Sequence, residues 1–413
     1  MKILLICYNF PPEQSGGIGR PYSLYKYLPR HEIEPVVLTV DSYGKTDNEP
    51  GVCRTRSLLT LKNRKSPFYN FFRSTKILNG IVPFMDMIWE KTALGKAPEI
   101  FRQNKIELIY TSYPSTSALR LGLRLSKKYN VPLISEFRDG LVYEPLFHFN
   151  PASFFWTTRF ERRLAGTSAA VITIGNEITR YFRDRYGLKK VFTVHNGYDR
   201  DDFCLHAASG PANAGGEKDK FRIAHFGNLK ASRKKGRDSG LFPAISRLKR
   251  EEKNKDLSGS FKLSFFGNFL KSERKAAKDL GIDDLVEFHR PIEKKEGFKV
   301  LKENFDALLF VGAKGSKTII SSKLPEYLYL EKPVIGICKG NEAAEIIERT
   351  GTGEVCDFDA DSIHALLKKA LSGKLAFNPR KEEILKFDRD SQAARIAEII
   401  KEAVRKPLTG DRR

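Results

Sequence analysis

The stretch MKILLICYNFPPEQSGGIG, residues 1–19, gives the first indication of the fold. Its apolar residues 3–7 predict a buried β-strand, and a turn rich in proline and glycine then leads into a helical pattern over residues 21–28. The apolar run is short and lacks a small-residue cleavage site, which favours a strand over a signal peptide. A strand, a glycine-rich turn and a helix in this order are typical of a parallel α/β sheet.

The glycine-rich turn also predicts a place for a phosphate. The first N–H groups of a helix are free and the helix dipole is positive there, so such a turn suits an anion. It is not a dinucleotide fingerprint, because the pattern G-x-G-x-x-G counted from Gly17 needs a glycine where Tyr22 stands, and the sequence has no P-loop. Glycine-rich turns after a first strand are also common without a ligand.

Short β-rich runs alternate with helical patterns in both halves of the chain. The predicted strands of the first half are residues 3–7, 35–40, 107–111, 132–136, 169–174 and 191–195, and its helices include residues 21–28, 116–129 and 177–186. Residues 204–220 are small and polar and predict a linker. The predicted strands of the second half are residues 221–226, 262–266, 285–288, 307–311 and 333–337, and its helices include residues 272–280 and 323–330. This alternation predicts two α/β domains with parallel sheets, residues 1–203 and 221–387, and a C-terminal helix within residues 388–405.

The length and composition agree with two globular domains. A chain of 413 residues exceeds one ordinary core, and 41% hydrophobic residues argue against extended disorder. No apolar run reaches the about 18 residues that a membrane span needs. The five cysteines are scattered without a C-x-x-C pair. This favours reduced thiols in a cytoplasmic protein over disulfides or a zinc site.

The net charge of +22 indicates an acidic partner, which can be a nucleic acid, an anionic membrane or a diphosphate. Basic residues exceed acidic ones in both halves of the chain, and no RNP, KH or helix-turn-helix signature is present, so a nucleic acid is not expected. Residues 61–85 mix basic and aromatic side chains without an acid, which predicts contact with an anionic membrane surface. A solvated charged face is the alternative.

Two predicted strands end in the tripeptide Phe-Gly-Asn, at residues 226–228 and 266–268. Glycines at the carboxyl ends of strands let the backbone approach a ligand, which open α/β sheets bind at this edge. The candidates for nucleotide contact are therefore Gly227, Asn228, Gly267 and Asn268, although two ordinary turns would give the same pattern. Beyond the first tripeptide, the cations Arg233, Lys234 and Lys235 suit the charge of a diphosphate leaving group, or form a solvated loop.

Two further clusters carry side chains suited to chemistry on a sugar nucleotide. Asp139 follows the fourth predicted strand beside Arg138, and its carboxylate can bind a sugar hydroxyl or help to remove its proton. Lys323 and Glu326 lie on one face of a predicted helix, where the carboxylate can accept both ribose hydroxyls and the ammonium can meet the phosphates. Ion pairs that only hold a loop or a helix surface are the alternative for both clusters.

Five short motifs, taken in order, resemble glycosyltransferase family 4 of the GT-B superfamily over nearly the whole chain. They are Pro-Pro-Glu-x-x-Gly-Gly at 11–17, Phe-Arg-Asp at 137–139, His-Asn-Gly-Tyr-Asp at 195–199, Phe-Gly-Asn at 226–228 and Lys-x-x-Glu-Tyr-Leu at 323–328. The resemblance implies two Rossmann-like domains with a cleft between them. It also implies that the C-terminal helix crosses back to the first domain.

The resemblance assigns roles to single residues. It implies that Gly16 and Gly17 hold the donor diphosphate together with a cation of the run 233–235, and that Glu326 binds the ribose. The chain departs from the family at Thr318, where many relatives carry a glutamate that contacts the sugar. It also departs at residues 138–139, where many relatives place a histidine.

The implied function is the transfer of a hexosyl or related sugar from a nucleotide-diphosphate sugar to a saccharide or lipid-linked acceptor hydroxyl. Family resemblance implies that the anomeric configuration is retained, in bacterial polysaccharide or glycolipid assembly at the cytoplasmic side of a membrane. No metal or other cofactor is expected, since the four Asp-x-Asp triplets, at residues 199–201, 357–359, 359–361 and 388–390, have sequence positions typical of structural turns. A nucleotide-sugar epimerase of the same fold is the alternative, and a nucleic-acid-binding protein is a weaker one.

Overall fold

The computed structural model describes residues 1–12, 17–41, 49–57, 78–143, 151–203, 220–227, 229, 240–251, 257–316 and 321–405, with only the backbone for 78–86. The chain divides into two compact units. The first comprises Met1–His195 and Arg389–Arg413, and the second comprises Asn196–Asp388.

The first unit is built on a seven-stranded parallel sheet. Its strands are β1 (Lys2–Cys7), β2 (Glu34–Val40), β3 (Val52–Thr55), β4 (Ile106–Tyr113), β5 (Leu133–Phe137), β6 (Ala170–Thr173) and β7 (Val191–Thr193). Their order across the sheet is β3-β2-β1-β4-β5-β6-β7. Its helices are α1 (Gly19–Tyr27), α2 (Leu78–Gln103), α3 (Thr116–Tyr129), α4 (Pro151–Thr167), α5 (Asn176–Tyr186) and the C-terminal α14 (Arg389–Arg405), with a 3₁₀ turn at Leu28–His31.

Neighbouring residues of β1 face different apolar layers, because successive side chains of a strand point to opposite faces. Leu4 belongs to the same buried cluster as Trp89 of α2. Leu5 belongs to a second cluster with Leu24 of α1 and Ile396 of α14. The sheet is therefore covered on both faces, as a continuous apolar strand predicts. The predicted return of the C-terminal helix to the first domain is confirmed.

The second unit is built on a six-stranded parallel sheet in the order β10-β9-β8-β11-β12-β13. Its strands are β8 (Phe221–Phe226), β9 (Phe261–Phe266), β10 (Val286–His289), β11 (Ala307–Val311), β12 (Val334–Ile337) and β13 (Gly353–Cys356). Its helices are α6 (Leu241–Glu251), α7 (Leu257–Ser260), α8 (Lys271–Asp279), α9 (Lys294–Asn304), α10 (Lys323–Tyr329), α11 (Glu342–Thr350), α12 (Ala360–Leu371) and α13 (Lys381–Leu385), with a 3₁₀ turn at Arg200–Asp202. The predicted class of two parallel-sheet α/β domains is confirmed.

The strands β3 and β13 were not predicted from the sequence. Each has four residues, lies at an edge of its own sheet and buries only one residue. A short edge strand that is half exposed has no continuous apolar run, so hydrophobic periodicity does not reveal it.

The second unit begins earlier than the boundary that the sequence predicts after residue 203. Tyr198 forms an isolated parallel bridge with Asp388, and the ring of Phe203 stacks on Phe298 with centroids 4.1 Å apart. These contacts attach residues 196–203 to the second unit. Of the predicted linker, only Lys220 lies within the described residues.

The basic and aromatic segment 61–85 is mostly outside the described part of the chain, since residues 61–77 are not described and residues 78–85 are the backbone start of α2. Among the described residues, no helix has the length and apolarity to cross a bilayer.

Candidate functional site

The turn after β1 is held by hydrogen bonds to its backbone. The carbonyl of Pro11 accepts from Arg54 Nη2 at 2.6 Å, and the carbonyl of Gly17 accepts from Arg138 Nη1 at 2.8 Å. A Cβ on Gly17 would overlap the side-chain amide of Asn9, so a larger residue here would force the Asn9 side chain to move. The turn therefore brings Gly17 close to Asn9, two residues after the end of β1. The other predicted phosphate residue, Gly16, lies outside the described residues.

Arg138 is a buried residue that joins three segments of the first unit. Its Nε donates to the carbonyl of Tyr113 at the end of β4 at 2.8 Å, while Nη1 holds Gly17. Burial lowers the pKa of this guanidinium, and the nearby carboxylates of Glu136 and Asp139 oppose that effect. These contacts show how Arg138 positions the glycine turn, and its catalytic role stays a prediction.

Asp139 is the second residue after β5, at the carboxyl edge of the sheet. Burial raises the pKa of its carboxyl from 3.8 to about 6, although the charge of Arg138 acts in the opposite direction. A carboxyl with a pKa near the working pH is well matched to accept and release a proton. The structure thus gives the predicted acid–base residue a suitable environment.

A buried carboxylate fixes the segment that follows Asp139. Glu161 of α4 accepts from the backbone N–H of Val142 at 3.1 Å and from the hydroxyls of Tyr181 and Tyr186 at 2.6 and 2.7 Å. Burial raises the pKa of Glu161, while these three hydrogen bonds stabilise its charged form. The turn that carries Asp139 is therefore tied to α4 and α5.

A second buried charge network lies beside this turn, and it was not predicted from the sequence. Arg20 Nε lies 3.1 Å from Glu136 Oε1, and its other nitrogens donate to the carbonyls of Val194 and His195 and to the Gln392 side chain. It links α1, β5, the end of β7 and α14. The available signal was Glu136 itself, because a carboxylate within a buried apolar strand needs a charged or hydrogen-bonding partner.

In the second unit, two distant motifs meet at the end of β8. Gly227 has φ +108°, and the space of its missing Cβ is filled by the ammonium end of Lys323. The backbone N–H of Phe226 donates to the hydroxyl of the buried Tyr327 at 2.8 Å, which fixes α10 over the strand end. Gly227 and Lys323, both predicted from sequence, are therefore direct neighbours.

Glu326 of α10 belongs to a charged cluster with two residues that the sequence reasoning did not select. Its Oε1 lies 2.8 Å from Nζ of Lys294, which also lies 2.6 Å from Asp202 Oδ2. Partial burial disfavours the charged ammonium of Lys294, but the two carboxylates outweigh this and raise its pKa. A carboxylate has about four acceptor positions, so pairing with one ammonium leaves capacity for ribose hydroxyls.

The remaining predicted nucleotide residues lie partly outside the described chain. Gly267 is buried at the end of β9 and donates to the carbonyl of His289 at 3.2 Å, and Asn268 beside it is exposed. Asn228 and the cations Arg233, Lys234 and Lys235 are not among the described residues, and neither is Thr318. Their roles stay predictions.

The Asp-x-Asp triplets take part in helix caps and ion pairs. Asp199 caps the 3₁₀ turn by accepting from Asp201 N–H at 3.1 Å, and Asp359 caps α12 by accepting from Ser362 N–H at 2.8 Å. Asp388 pairs with Arg200 at 3.0 Å. Each of these three carboxylates therefore has a structural partner.

Comparison with known proteins gives a family match for most of the N-terminal half of the chain. Residues 20–202 match the model of Glycosyltransferase Family 4. No curated protein matches the sequence at a significant level.

Solved structures match over the whole chain. A sucrose-phosphate synthase from Thermosynechococcus elongatus is 14% identical with a TM-score of 0.67, over 97% of this chain and 98% of that one. HepE from Anabaena, solved with UDP and glucose, is 16% identical with a TM-score of 0.63, over 97% and 99%. An enzyme described as a UDP-N-acetylglucosamine 2-epimerase from Listeria monocytogenes is 13% identical with a TM-score of 0.54, over 97% and 96%.

At these identities the structures establish the fold, whereas the family match rests on residues 20–202. The two parallel sheets and the returning helix α14 are the architecture that the motifs predicted. The predicted resemblance is thus confirmed: residues 20–202 match the model of glycosyltransferase family 4, and nearly the whole chain shares the two-domain fold of these solved structures.

Proposed function

We propose that this protein transfers a sugar from a nucleotide-diphosphate sugar to a hydroxyl group of a saccharide or lipid-linked acceptor. The observation that carries the proposal is the meeting of Gly227 and Lys323 at the end of β8, with Glu326 one helical turn further along α10. A cation, a close backbone and a carboxylate at a strand end suit the phosphates and the ribose of a nucleotide. The family match of residues 20–202 and the UDP-bound fold relative support a sugar nucleotide as the ligand.

The donor nucleotide is assigned to the second unit. Lys323 meets the diphosphate, with help from the cations predicted at residues 233–235. Glu326 accepts hydrogen bonds from the ribose while Lys294 holds its carboxylate in place. As the bond from sugar to phosphate breaks, negative charge develops on the leaving phosphate, and a fixed ammonium stabilises it.

The first unit supplies Asp139, which accepts a hydrogen bond or proton from a sugar hydroxyl in its raised-pKa environment. Arg138 and Glu161 keep the turns around it in place. We further propose that transfer needs no metal and retains the anomeric configuration. Undiminished transfer in the presence of a chelator tests the first point, and NMR of the product's anomeric proton tests the second.

The donor assignment is tested by calorimetry on Glu326→Ala. A thermal-shift panel of UDP-, GDP- and ADP-sugars first identifies the donor, because a specific ligand raises the melting temperature by mass action. Loss of hydrogen bonds to a charged acceptor is expected to weaken donor binding about 10- to 100-fold.

Asp202→Asn is the matched control, since it removes the other carboxylate from Lys294 and leaves the Glu326 pair intact. Its donor affinity should stay near the wild-type value. Equal affinity of Glu326→Ala and wild type would remove the ribose role from Glu326.

A nucleotide-sugar epimerase is the second candidate, because fold relatives described as UDP-N-acetylglucosamine 2-epimerases also cover nearly the whole chain. Incubation of UDP-N-acetylglucosamine without an acceptor distinguishes the two functions. An isomerised nucleotide sugar would support the epimerase, and an intact or slowly hydrolysed one supports transfer.

The acceptor side of the proposal includes assembly of a cell-surface polysaccharide or glycolipid at the inner face of a membrane. The basic segment 61–85 supports contact with anionic lipid. Flotation with anionic vesicles tests it, because a variant with Lys62, Arg64 and Lys65 neutralised should bind less than wild type.

A further inference from the structure

Three consecutive aromatic residues at the start of α4 are exposed to solvent. Phe154, Phe155 and Trp156 are exposed to 46%, 60% and 66%. Large aromatic side chains normally bury most of their surface, and a contiguous exposed group of them marks an interaction site. We call these three residues the α4 tip.

The α4 tip belongs to a firmly anchored helix. Leu164 and Ala165 are buried in the core of the first unit, and Glu161 makes its hydrogen bonds to Val142 and to two tyrosines of α5. The second half of α4 is therefore fixed. The first half carries its aromatic side chains into solvent on that fixed support.

Arginines accompany the tip on the outer face of the helix. Arg159, Arg162 and Arg163 are all exposed, and among the described residues no carboxylate forms an ion pair with them. At 100° per residue, Phe155, Arg159 and Arg162 share one face, and Arg163 lies along the helix from Trp156. The sole acid of α4 is Glu161, which points to the buried side.

The spacing along the helix matches the depth profile of a bilayer interface. With a rise of about 1.5 Å per residue, the arginines lie about 4 to 14 Å behind the rings along the helix axis. Aromatic rings favour the boundary between headgroups and acyl chains, and guanidinium groups favour the phosphates above it.

We propose that the α4 tip inserts into the interface of an anionic lipid bilayer, with the three arginines bound to lipid phosphates. A second copy of this chain is a poorer occupant. A symmetric contact at this face would bring two arginine rows together in a protein of net charge +22. The proposal concerns a surface separate from residues 61–85 and does not depend on the sugar-transfer reaction.

The two tryptophans of the chain make the proposal directly measurable. Trp89 is fully buried, whereas Trp156 is part of the tip. The full chain is mixed with vesicles of phosphatidylglycerol and phosphatidylcholine in equal amounts, and with vesicles of phosphatidylcholine alone. With the anionic vesicles, Trp156 emission should move to shorter wavelength and become protected from acrylamide. The variant Trp156→Phe should still float with these vesicles and lose the spectral change.

Flotation of variants separates the tip from the arginines. Phe155→Ser combined with Trp156→Ser should abolish flotation. The triple change Arg159→Gln, Arg162→Gln and Arg163→Gln should weaken vesicle binding about 100-fold at physiological salt. The matched control removes three exposed charges from α8, with Lys271→Gln, Lys275→Gln and Lys278→Gln. It has the same net charge as the α4 triple variant and should bind the vesicles more strongly than that variant.

Four results would overturn the proposal. The first is that the wild-type chain does not float with anionic vesicles, and the second is that it floats with unchanged Trp156 emission. The third is that the α4 and α8 triple variants lose equal amounts of vesicle binding. The fourth is that the spectral shift appears without lipid. The second would place the contact elsewhere on the chain. A shift that grows with protein concentration would identify a second copy as the occupant, and one produced by an oligonucleotide would identify a nucleic acid.

Discussion

At Asp139 and Gly227, neighbouring residues change the charge equilibrium of a side chain and the space around a backbone. Asp139 is a partly buried carboxyl whose charge is disfavoured by desolvation. Gly227 adopts a backbone conformation with φ +108° under the side chain of Lys323. Both environments cost stability: Asp139 gains a shifted protonation equilibrium, and Gly227 gains a special backbone geometry. Such costs are common at functional sites.

Replacement of Asp139 by asparagine should separate activity from stability. The folded pKa is raised from 3.8 to about 6, so the proton stabilises the fold at low pH and this contribution is lost as the pH rises through 6. At pH 7 the charged carboxyl therefore costs up to about 3 kcal/mol, and Asp139→Asn should raise the free energy of unfolding by about 1 to 3 kcal/mol. The gain should shrink as the pH falls from about 6 to about 4, and it should be absent below about pH 4, where the carboxyl is protonated in both states.

The same variant should lose the pH dependence of transfer. In the wild type, kcat/KM should rise with pH around a midpoint of about 6, because Asp139 must be deprotonated to accept a proton. Asp139→Asn should be slower by about 100-fold or more and lack this rise. A wild-type midpoint near the ordinary pKa of an aspartate, or full activity of the variant, would exclude Asp139 as the base.

Gly227→Ala should damage both the fold and the donor site. An added Cβ would displace the Lys323 ammonium, and an L-residue is strained at this φ. We expect a loss of about 2 to 4 kcal/mol in the free energy of unfolding together with weaker donor binding. Gly281→Ala is the control, because Gly281 also has a positive φ (+65°) but no atom lies within 4 Å of an added Cβ. It should lose only about 1 kcal/mol and keep its donor affinity.

At the scale of elements, buried polar groups connect helices and strands that are remote in sequence. Arg20 joins α1 to β5, to the end of β7 and to α14, and Glu161 joins α4 to α5 and to the turn after Asp139. Apolar packing alone tolerates small shifts of a helix against a sheet. Directional hydrogen bonds fix these elements, and with them the turns at the carboxyl edge.

Arg20→Met should destabilise the first unit by about 3 to 5 kcal/mol, because it removes the cation that forms the ion pair with the buried Glu136 carboxylate. Both tryptophans belong to this unit, so their fluorescence in a denaturant titration reports its unfolding. Arg180→Met removes an exposed pair with Glu177 and should change the stability by less than about 1 kcal/mol.

The double variant Arg20→Met with Glu136→Gln should recover part of the loss, since it also removes the buried charge that has lost its ion pair. A double variant no more stable than Arg20→Met would show that the hydrogen bonds of Arg20 to backbone carbonyls dominate.

At the scale of the whole molecule, the chain returns to its first unit at the end. Six apolar residues of α14 are buried in the cluster that contains Leu5 of β1, namely Ala393, Ile396, Ala397, Ile399, Ile400 and Ala403. The first unit therefore lacks part of its core until the last residues are in place.

A chain ending at residue 388 should lose this core. Burial of each isoleucine contributes about 1.5 to 3 kcal/mol, so removal of Ile396, Ile399 and Ile400 should destabilise the first unit by about 5 kcal/mol or more. A chain ending at residue 405 keeps α14 and should match the full chain. Equal tryptophan unfolding curves for both truncations would show that α14 is dispensable for the first unit.

The sequence by itself determined the two α/β domains and indicated several candidate site positions. Continuous apolar runs such as β1 require burial on both faces, and alternation with helices then leaves a parallel sheet as the arrangement that satisfies them. The sequence also placed Asp139, Gly227, Lys323 and Glu326 at strand ends or on helices that follow them, since local turn and cap chemistry marks these points. The edge strands β3 and β13 lacked such a signal.

Only the tertiary structure decided which of these side chains contact each other and how their pKa values shift. The contact of Lys323 with Gly227, the pairing of Glu326 with Lys294 and the link from Arg20 to Glu136 join residues that are far apart along the chain. No local pattern encodes such pairs, because each depends on how whole elements pack. The pKa of Asp139 likewise depends on desolvation by its surroundings. Periodicity and turn chemistry act over a few residues and are visible in sequence, whereas burial and charge pairing arise from the folded whole.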